Sequence, residues 1–374
     1  MRPELQLVRV LSLALRDFRC YENVVVNFGD GLTVISGPNG SGKTNLLEGL
    51  YFGCTGRSCR TTNERELLRF GCPTARAVVR LVADDGEHEL AVGFTPGEAK
   101  RLSVDGAAVE RLLDAPVRPL ISVFLPDRLD LVKGPPALRR SHLDQLAAAL
   151  WPARRDTRRR YAQALAQRNA LIMRIRAGRA SRGSLASWDE QLARTGLELM
   201  RQRHQAVAAV AGVATEVAAG LGLQTPLKVA YRPRSRAAVA EQLVAELRDR
   251  VSQDLERGFT GHGPHRDELS LLLADRDVRA YGSQGQQRLS LLALLLAERH
   301  AIAAQRGTPP VMLLDDVMSE LDHVRREALV ELLHGQEGQA IITTTELEQV
   351  PGATDGGVLH LTVAAGDLVD QVVA

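Results

Sequence analysis

One octapeptide limits the possible folds of this chain more than any other feature. Residues 37–44 read GPNGSGKT, which matches the pattern G-x-x-x-x-G-K-[ST] at every constrained position. A β-branched run, Thr33 to Ile35, precedes it, and an apolar helical pattern follows it from Lys43. Glycines at these positions let backbone N–H groups surround an anion, and the N-terminus of the following helix adds positive potential. The octapeptide therefore predicts a phosphate-binding loop between a strand and a helix of an α/β fold.

Each residue of this loop is a candidate contact to the phosphates of ATP. Lys43 is expected to reach the β- and γ-phosphates and so to take part in catalysis, and the Thr44 hydroxyl is expected to bind Mg²⁺. The complete set of predicted nucleotide contacts in the loop is Gly37, Pro38, Asn39, Gly40, Ser41, Gly42, Lys43 and Thr44.

An apolar run later in the chain ends in two adjacent carboxylates. Val311–Leu314 reads as a strand buried on both faces, and Asp315 and Asp316 follow it directly. Ligands of open α/β sheets collect at the carboxyl ends of strands, so Asp315 is expected to hold the magnesium through water. Asp316 would orient or deprotonate the attacking water. The alternative is an ordinary strand end exposed to solvent.

A second glycine-containing loop, YGSQGQQR at residues 281–288, precedes the acidic strand. A hydroxyl side chain, a glycine and a helix start provide a second anion-binding site, so Ser283, Gln284, Gly285 and Gln286 are predicted to contact nucleotide. The order of this loop in the chain resembles that of the signature motif of ABC-type ATPases. The resemblance implies that the signature of one subunit closes over the γ-phosphate bound by its twin. The alternative is a glycine loop that caps a core helix.

A tetrapeptide at residues 319–322, Ser-Glu-Leu-Asp, has the position of the D-loop in the same superfamily. Two other features of that superfamily are missing. No glutamine occurs between Asn45 and Arg140, so a Q-loop is absent, and Asp127 stands near its place. Thr343, Thr344 and Thr345 occupy the place of the usual switch histidine. Both departures predict slow turnover without affecting nucleotide binding.

Four further segments resemble the RecF family in particular. They are LRDFRCYE at 15–22, TGRSCR at 55–60, FLPDRLDLVKGPPALRRSHLD at 124–144 and GPHRDEL at 263–269. Together with the nucleotide motifs they span most of the chain in family order. The resemblance implies a slow, DNA-stimulated ATPase of recombinational repair that uses ATP and Mg²⁺ and forms an ATP-dependent homodimer. It further implies binding of double-stranded DNA and of single-strand/double-strand junctions, with RecR, RecO and RecA as pathway partners.

The pattern of elements predicts an α/β fold, an ABC-type P-loop ATPase head with a helical arm domain inserted. Residues 1–138 would form the N-terminal part of the head, 139–256 the arm, and 257–374 the C-terminal part of the head. Strands are predicted at Leu7–Leu15, Val24–Phe28, Leu32–Ser36, Ala77–Ala83, Leu90–Phe94, Leu120–Phe124, Leu227–Tyr231, Glu268–Leu273, Val311–Leu314 and Ala340–Thr344. Helices are predicted from Lys43, through Leu185 to Ala206, and at Val239–Arg250, Gln286–Ala303 and Val324–His334.

Arginines are concentrated at the start of the predicted arm. Between Trp151 and Arg182 the sequence contains ten arginines and only one acidic residue, Asp156. A cluster of this kind would bind phosphates without regard to sequence. The predicted DNA contacts are Arg154, Arg155, Arg158, Arg159 and Arg160. The alternative is a solvated helix face, because 43 of the 47 basic residues of the chain are arginine and the composition alone enriches them.

Composition removes several other classes of protein. The formal net charge is only +2, and none of the four cysteines forms a C-x-x-C pair. The longest apolar stretch is far shorter than the ~20 residues of a membrane helix, and no secretory signal is evident, so a cytoplasmic protein is expected. His262 and His265 are expected to be structural, since two histidines without a third ligand make a poor metal site. The main rival function is an ATP-operated protein scaffold, or another ABC-type ATPase, that does not bind DNA directly.

Overall fold

The computed structural model describes residues 8–125, 129–335 and 338–373. The chain divides into two compact units. The first comprises Met1–Arg128, Gly220–Gly222 and Ile302–Ala374, and the second comprises Leu129–Ala219 and Leu223–Ala301. Asp127, which the sequence places near the missing Q-loop glutamine, lies outside the described residues.

Strands dominate both ends of the chain and helices its middle. Residues 8–125 form β1 (Arg9–Phe18), β2 (Tyr21–Asn27), β3 (Leu32–Ser36), α1 (Lys43–Thr55), β4 (Ala75–Ala83), β5 (Gly86–Phe94), β6 (Arg101–Val104), β7 (Ala107–Ala108) and β8 (Ile121–Phe124). Residues 129–306 form α2 (Asp130–Lys133), α3 (Pro136–Leu150), α4 (Thr157–Arg176), α5 (Ala186–Gly220), β9 (Leu227–Arg232), α6 (Ala240–Asp249), α7 (Val251–Arg257), β10 (Glu268–Leu273), β11 (Arg276–Asp277), α8 (Val278–Tyr281) and α9 (Gln284–Arg306). The remainder forms β12 (Val311–Leu314), α10 (His323–His334), β13 (Ala340–Thr344), β14 (Leu359–Ala364) and β15 (Asp367–Val373).

The central sheet of the first unit has the strand order β15-β14-β3-β13-β12-β8. Within it β14, β3, β13, β12 and β8 run parallel, and β15 is an antiparallel edge strand. All residues of β3, β12 and β13 are buried, as expected for parallel strands covered on both faces. Because these strands are parallel, the phosphate-binding loop after β3, the Asp315–Asp316 pair after β12 and the threonines at the end of β13 all lie at the same edge of the sheet.

An antiparallel sheet, β2-β1-β4-β5-β6-β7, packs against helix α1 in the same unit. The approach is close because α1 carries glycines where it meets the sheet. A Cβ at Gly49 would lie 2.7 Å from a methyl of Leu15, and a Cβ at Gly53 would lie 2.5 Å from a methyl of Val79. This packing holds the helix that begins at Lys43 rigidly against the core of the unit.

The second unit contains an antiparallel helix pair and a small sheet, β11-β10-β9. Thr157 at the start of α4 bonds Gln202 in the middle of α5, and Arg168, past the midpoint of α4, bonds Asp189 near the start of α5. The helical character predicted for this region is therefore confirmed.

The compact units do not follow the predicted domain bounds. Residues 129–138 and 257–301 group with the helical segment because β10 pairs along its whole length with β9 and also contacts α3. Individual elements agree better with the sequence. The strands Leu32–Ser36, Glu268–Leu273, Val311–Leu314 and Ala340–Thr344 have the predicted bounds, whereas α9 is longer than predicted at both ends.

Candidate nucleotide site

The backbone of the phosphate-binding loop takes conformations that few side chains permit. Gly37, Gly40 and Gly42 have φ values of 152°, 79° and 115°. A Cβ at Gly37 would collide with the carbonyl oxygen of Val363, and one at Gly42 would lie 2.8 Å from the Cys20 sulfur. Glycine is thus required at both positions by backbone conformation and by space.

Two donors in this loop fit the oxygens of a phosphate. Lys43 is 7% exposed, and its ammonium donates to the carbonyl oxygens of Gly37 at 2.6 Å and Pro38 at 2.9 Å. Burial lowers the pKa of Lys43, and the charges of Asp316 and Asp315 oppose that shift. The Ser41 hydroxyl is buried and has no hydrogen-bond partner among the described residues. A buried hydroxyl without a partner is costly unless a ligand supplies one.

The oxygens of Thr44 and Asp315 come together although 271 positions separate them in sequence. The Thr44 hydroxyl lies 2.9 Å from each carboxylate oxygen of Asp315, which is 9% exposed. Burial raises the pKa of Asp315, while hydrogen bonds from Thr343 and Thr44 favour its charged form. Hydroxyl and carboxylate oxygens are the donors that Mg²⁺ prefers, so these residues fit the ion.

A residue without a predicted role, Thr343, links the two aspartates. Its hydroxyl donates to Oδ1 of Asp315 at 2.7 Å and accepts the backbone N–H of Asp316 at 2.9 Å. The side chain is fully buried at the end of β13. The sequence offered one signal, since three threonines stand where a switch histidine was expected, but nothing in it indicated which one faces the carboxylates.

The backbone of Asp316 is held in the left-handed region, with φ 44°. Thr343 accepts its N–H, and the Ser319 hydroxyl lies 2.9 Å from its carbonyl oxygen and 3.0 Å from Oδ2. The other carboxylate oxygen, Oδ1, is buried and has no partner among the described residues. One oxygen of Asp316 is therefore fixed, and the other is available to accept a proton or orient a water molecule.

Two of the RecF-like segments meet at one buried carboxylate on α1. Glu48 is fully buried and accepts two hydrogen bonds from Arg19, at 2.8 and 2.9 Å. Ser58 and Arg60 donate to the same carboxylate at 2.5 and 3.3 Å, and Arg60 also donates to Asn45 at 3.0 Å. The segments at 15–22 and 55–60 thereby tie the helix after the phosphate-binding loop to its surroundings.

Residues 129–144 and 263–269, from the other two RecF-like segments, meet in the second unit. Arg139 binds Glu268 through two hydrogen bonds, at 2.6 and 3.0 Å. Arg203 on α5 is 3% exposed and joins Asp144 to Asp267. Residues 129–144 and 263–269 are thus joined directly by a part-buried ion pair and indirectly through the buried Arg203, which gives both a structural role.

The predicted signature loop forms a capping box at the start of α9 in the second unit. The Ser283 hydroxyl accepts the N–H of Gln286 at 3.2 Å, and the Gln286 side-chain oxygen accepts the N–H of Ser283 at 2.9 Å. Ser283, Gln284 and Gly285 are exposed. This geometry agrees with a helix cap, and it leaves the Ser283 hydroxyl proton able to donate to an anion.

Both histidines considered as metal ligands bind protein groups. His262 bonds Glu246 at 2.5 Å, and His265 bonds the Tyr161 hydroxyl at 2.7 Å and the Thr260 carbonyl at 2.9 Å. Burial lowers the pKa of His265 to about 4. These contacts agree with the structural role expected for the pair.

The five predicted DNA-binding arginines are exposed, but several bind neighbouring side chains. Arg154 donates to Gln205, Arg158 lies 3.5 Å from Asp144, Arg159 lies 3.3 Å from Asp156, and Arg160 lies 3.4 Å from Glu198. Arg155 is exposed as well. Of the ten arginines counted between residues 151 and 182, Arg168 is fully buried, so including it in a phosphate-binding surface was wrong.

Known proteins match the chain over almost its whole length. Residues 12–94 match the family described as "AAA domain". The chain is 40% identical to "DNA replication and repair protein RecF" of Anaeromyxobacter sp. (strain Fw109-5), covering 96% of this chain and 98% of that protein. It is 36% identical to the protein of the same description from Heliobacterium modesticaldum, covering 91% and 93%. A solved "recombination mediator protein RecF-ATP in RecFOR pathway" superposes over 100% of both chains, with a TM-score of 0.85 and 26% identity.

These similarities confirm the predicted fold class, a P-loop ATPase head with α/β architecture. Among the described residues, no helix is both long enough and apolar enough to span a membrane.

Proposed function

The chain belongs to the RecF family of DNA replication and repair proteins, and from this premise we propose that it is an ATP-operated DNA clamp. Two copies, each with ATP and Mg²⁺ bound, associate and hold duplex DNA beside single-stranded gaps. Slow, DNA-stimulated hydrolysis of ATP then separates the copies and releases the DNA.

The nucleotide is held by the loop at residues 37–44, with the Lys43 ammonium and the Ser41 hydroxyl bound to phosphate oxygens. ATP supplies the phosphoanhydride bond that is cleaved, and Mg²⁺ neutralises charge on the phosphates. Thr44 and Asp315 hold the metal. Asp316 positions the attacking water and accepts its proton through Oδ1, the oxygen with no partner among the described residues.

The second copy completes the site through the signature loop. Ser283, Gln284, Gly285 and Gln286 contact the γ-phosphate bound by the other subunit, using the N-terminus of α9 as an anion-binding site. A phosphate that binds both subunits adds affinity only in the ATP state, so ATP shifts the equilibrium toward the dimer.

DNA binds through exposed arginines of the second unit, including Arg154, Arg155, Arg158, Arg159 and Arg160. Contacts of this type are strongly salt-dependent and largely independent of sequence. The protein would act in the cytoplasm with RecR and RecO, assisting the loading of RecA at gaps.

One observation supports this proposal most directly. The hydroxyl groups of Thr44 and Thr343 both bond the Asp315 carboxylate at one edge of the parallel sheet. The Thr44 oxygen lies 2.9 Å from each carboxylate oxygen, and the Thr343 oxygen lies 2.7 Å from Oδ1. This arrangement places Asp315, a buried carboxylate whose pKa is raised by burial, beside the glycine loop, and perturbed carboxylates of this kind cluster at functional sites.

Mass measurement by light scattering, as ATP is titrated with and without duplex DNA, tests the proposal. We expect a monomer without ATP, a dimer with ATP, and a dimer that retains duplex at moderate salt. Lys43→Met should remain monomeric, because it loses the charge that binds the phosphates. An ATP-dependent dimer that binds no DNA even at low salt would favour the protein scaffold instead.

A further inference from the structure

An exposed surface at the end of α4 combines apolar side chains with arginines. Met173 and Phe259 are 53% and 39% exposed, and Arg176, Arg257 and Arg266 are exposed beside them. We call these five residues the Phe259 patch. It lies entirely in the second unit, at the opposite end of α4 from Arg154–Arg160.

Close approaches relate four of the five patch residues to one another. The Arg266 guanidinium lies 5.3 Å from the centroid of the Phe259 ring. Arg176 lies 3.9 Å from the Met173 sulfur, and a Cβ at Gly258, the neighbour of Phe259, would lie 3.2 Å from that sulfur. Arg266 therefore adjoins the Phe259 ring, and Met173 and Arg176 adjoin the backbone of Gly258, the residue before it.

The arginines of the patch differ from three of the five predicted DNA contacts in their partners. Within the described residues, Arg176, Arg257 and Arg266 form no ion pair with a carboxylate. Arg158, Arg159 and Arg160 each have a carboxylate oxygen within 4 Å. Positive charge that is not neutralised by the protein therefore lies at the Phe259 patch, and it is complementary to a polyanion.

A buried ion network holds the loop that carries Phe259. Arg168 is fully buried on α4 and binds Asp189, Asp254 and the Thr260 hydroxyl, each at 2.7 Å. Asn169 accepts the N–H of Thr260 at 2.8 Å. Because removing one partner from a buried ion network is strongly destabilising, Thr260 cannot move freely from α4. Phe259, the preceding residue, is therefore presented to solvent from a fixed position.

From this geometry we infer that the Phe259 patch binds unpaired nucleotides of DNA. A base would stack on the exposed Phe259 ring, and Arg176, Arg257 and Arg266 would contact the adjoining phosphates. Proteins bind single strands by the same combination of an aromatic stacking surface and a positively charged surface. The inference rests on the proposed DNA function and deepens it, because it separates a contact to single-stranded DNA from the contacts to duplex.

Fluorescence anisotropy with the full chain, ATP and two DNAs tests the inference. One DNA is a blunt duplex, and the other is the same duplex with a single-stranded extension carrying 2-aminopurine at its first unpaired position. Phe259→Ala should weaken binding of the extended DNA about tenfold, abolish the quenching of 2-aminopurine, and leave blunt-duplex binding unchanged. Phe259→Trp should restore both affinity and quenching, since it retains a stacking surface.

Phe70→Ala is the matched control, because Phe70 is a fully exposed phenylalanine of the first unit. A second comparison pairs Arg257→Gln/Arg266→Gln with Arg194→Gln, an exposed arginine on α5. The double variant should lower the salt dependence of binding to the extended DNA by about one phosphate contact per arginine removed, and the control should not. Thermal unfolding of each variant shows whether it remains folded.

The possible failures are distinguishable. If Phe259→Ala binds both DNAs like the wild type, or weakens both equally, the inference is wrong while the DNA clamp stands. If the wild-type chain binds neither DNA at low salt with ATP, the proposed function fails and the inference fails with it.

Discussion

At the scale of single residues, the hydroxyl of Thr343 connects the two aspartates of the candidate site. It stabilises the charged form of Asp315 and fixes the backbone N–H of Asp316, whose φ of 44° is uncommon for a residue with a side chain. Ser319 holds the same aspartate from the other side. The hydroxyl groups of Thr343 and Ser319 therefore determine the position of Asp316. The Thr343 hydroxyl also orders Asp315, the residue that would bind the metal.

Thr343→Val tests this coupling with almost no change in side-chain volume. We expect a loss of about 10- to 100-fold in Mg²⁺ affinity or ATPase activity, which is typical when a partner of a metal ligand is removed. Loss of the hydrogen bond raises the pKa of Asp315 further, so the acidic limb of the pH–activity profile should move to higher pH.

The control for this variant is its neighbour. Thr344 is also buried, but its hydroxyl bonds the Glu346 carbonyl and Gln349, away from both aspartates. Thr344→Val should leave the pH profile in place, and Thr343→Ser should restore it. If the two valine variants shift the profile equally, Thr343 has only a packing role.

At the scale of elements, the N-terminus of α9 has two possible uses. The capping box formed by Ser283 and Gln286 stabilises the helix by itself, typically by ~1 kcal/mol. The same exposed N–H and hydroxyl groups are those that a γ-phosphate of a second subunit would need. The geometry therefore agrees both with a helix cap alone and with a contact to the partner's γ-phosphate, and a measurement of ATP-dependent dimerisation distinguishes the two.

Ser283→Arg is expected to leave ATP binding intact and to prevent the ATP-dependent dimer, because the large side chain occupies the space of the partner's phosphate. Nucleotide binding by fluorescence and mass by light scattering measure the two effects separately. Ser283→Thr, which retains the hydroxyl and the cap, is the control. A normal dimer from the arginine variant would assign this loop to helix capping alone.

The segment around His265 gives the second unit a predictable response to acid. Burial lowers the pKa of His265 to about 4, with Arg266 and Arg140 adding to the effect and the Thr260 carbonyl opposing it. The unfolded chain takes up a proton near pH 6.5, whereas the folded chain does so only near pH 4. The free energy of unfolding should therefore fall by up to about 3 kcal/mol as pH falls through this interval. Above the interval, the stability that comes from keeping His265 neutral should be fully retained.

Urea unfolding between pH 4 and 7 measures this slope. His265→Gln should show a shallower slope than the wild type, because glutamine offers hydrogen-bonding groups but does not titrate. Comparison of the two proteins isolates His265 from His142, whose pKa is raised by its contact with Glu298. Parallel pH profiles would show that His265 does not control acid stability.

At the scale of the whole molecule, the proposed cycle requires that hydrolysis follow dimerisation and DNA binding. The residues that would bind ATP lie in the first unit, whereas Ser283 and the exposed arginines lie in the second. In the proposed cycle the DNA-bound state would persist until Asp316 helps to cleave the nucleotide. Replacement of Asp316 is therefore expected to change the lifetime of the protein on DNA more than its affinity for DNA.

Asp316→Asn should bind ATP, dimerise and remain on duplex DNA much longer than the wild type. The amide retains the shape of the side chain but cannot accept the proton of the attacking water, and loss of a general base typically costs about 10²- to 10⁴-fold in rate. Phosphate release and the dissociation rate from labelled duplex measure the two consequences. Unchanged hydrolysis would assign the base to another residue.

Local patterns in the sequence were sufficient to predict the glycine loop between a strand and a helix, the strands that precede this loop and the aspartate pair, and the family. Gly37, Gly42 and Lys43 could be placed in a glycine loop and at a helix start because both features depend on residues that are adjacent in the chain. The order of these motifs then identified the fold, and the comparisons confirm it.

Only the tertiary structure decided which of several equivalent side chains meet. The sequence could not separate Thr343 from Thr344, or the buried Arg168 from the exposed arginines around it. It also did not indicate that the four RecF-like segments bind each other in pairs, through Glu48 in one unit and through Arg139 and Arg203 in the other. The physical reason is that burial and pairing depend on contacts between residues far apart in sequence, whereas periodicity and motif spacing report only what is near.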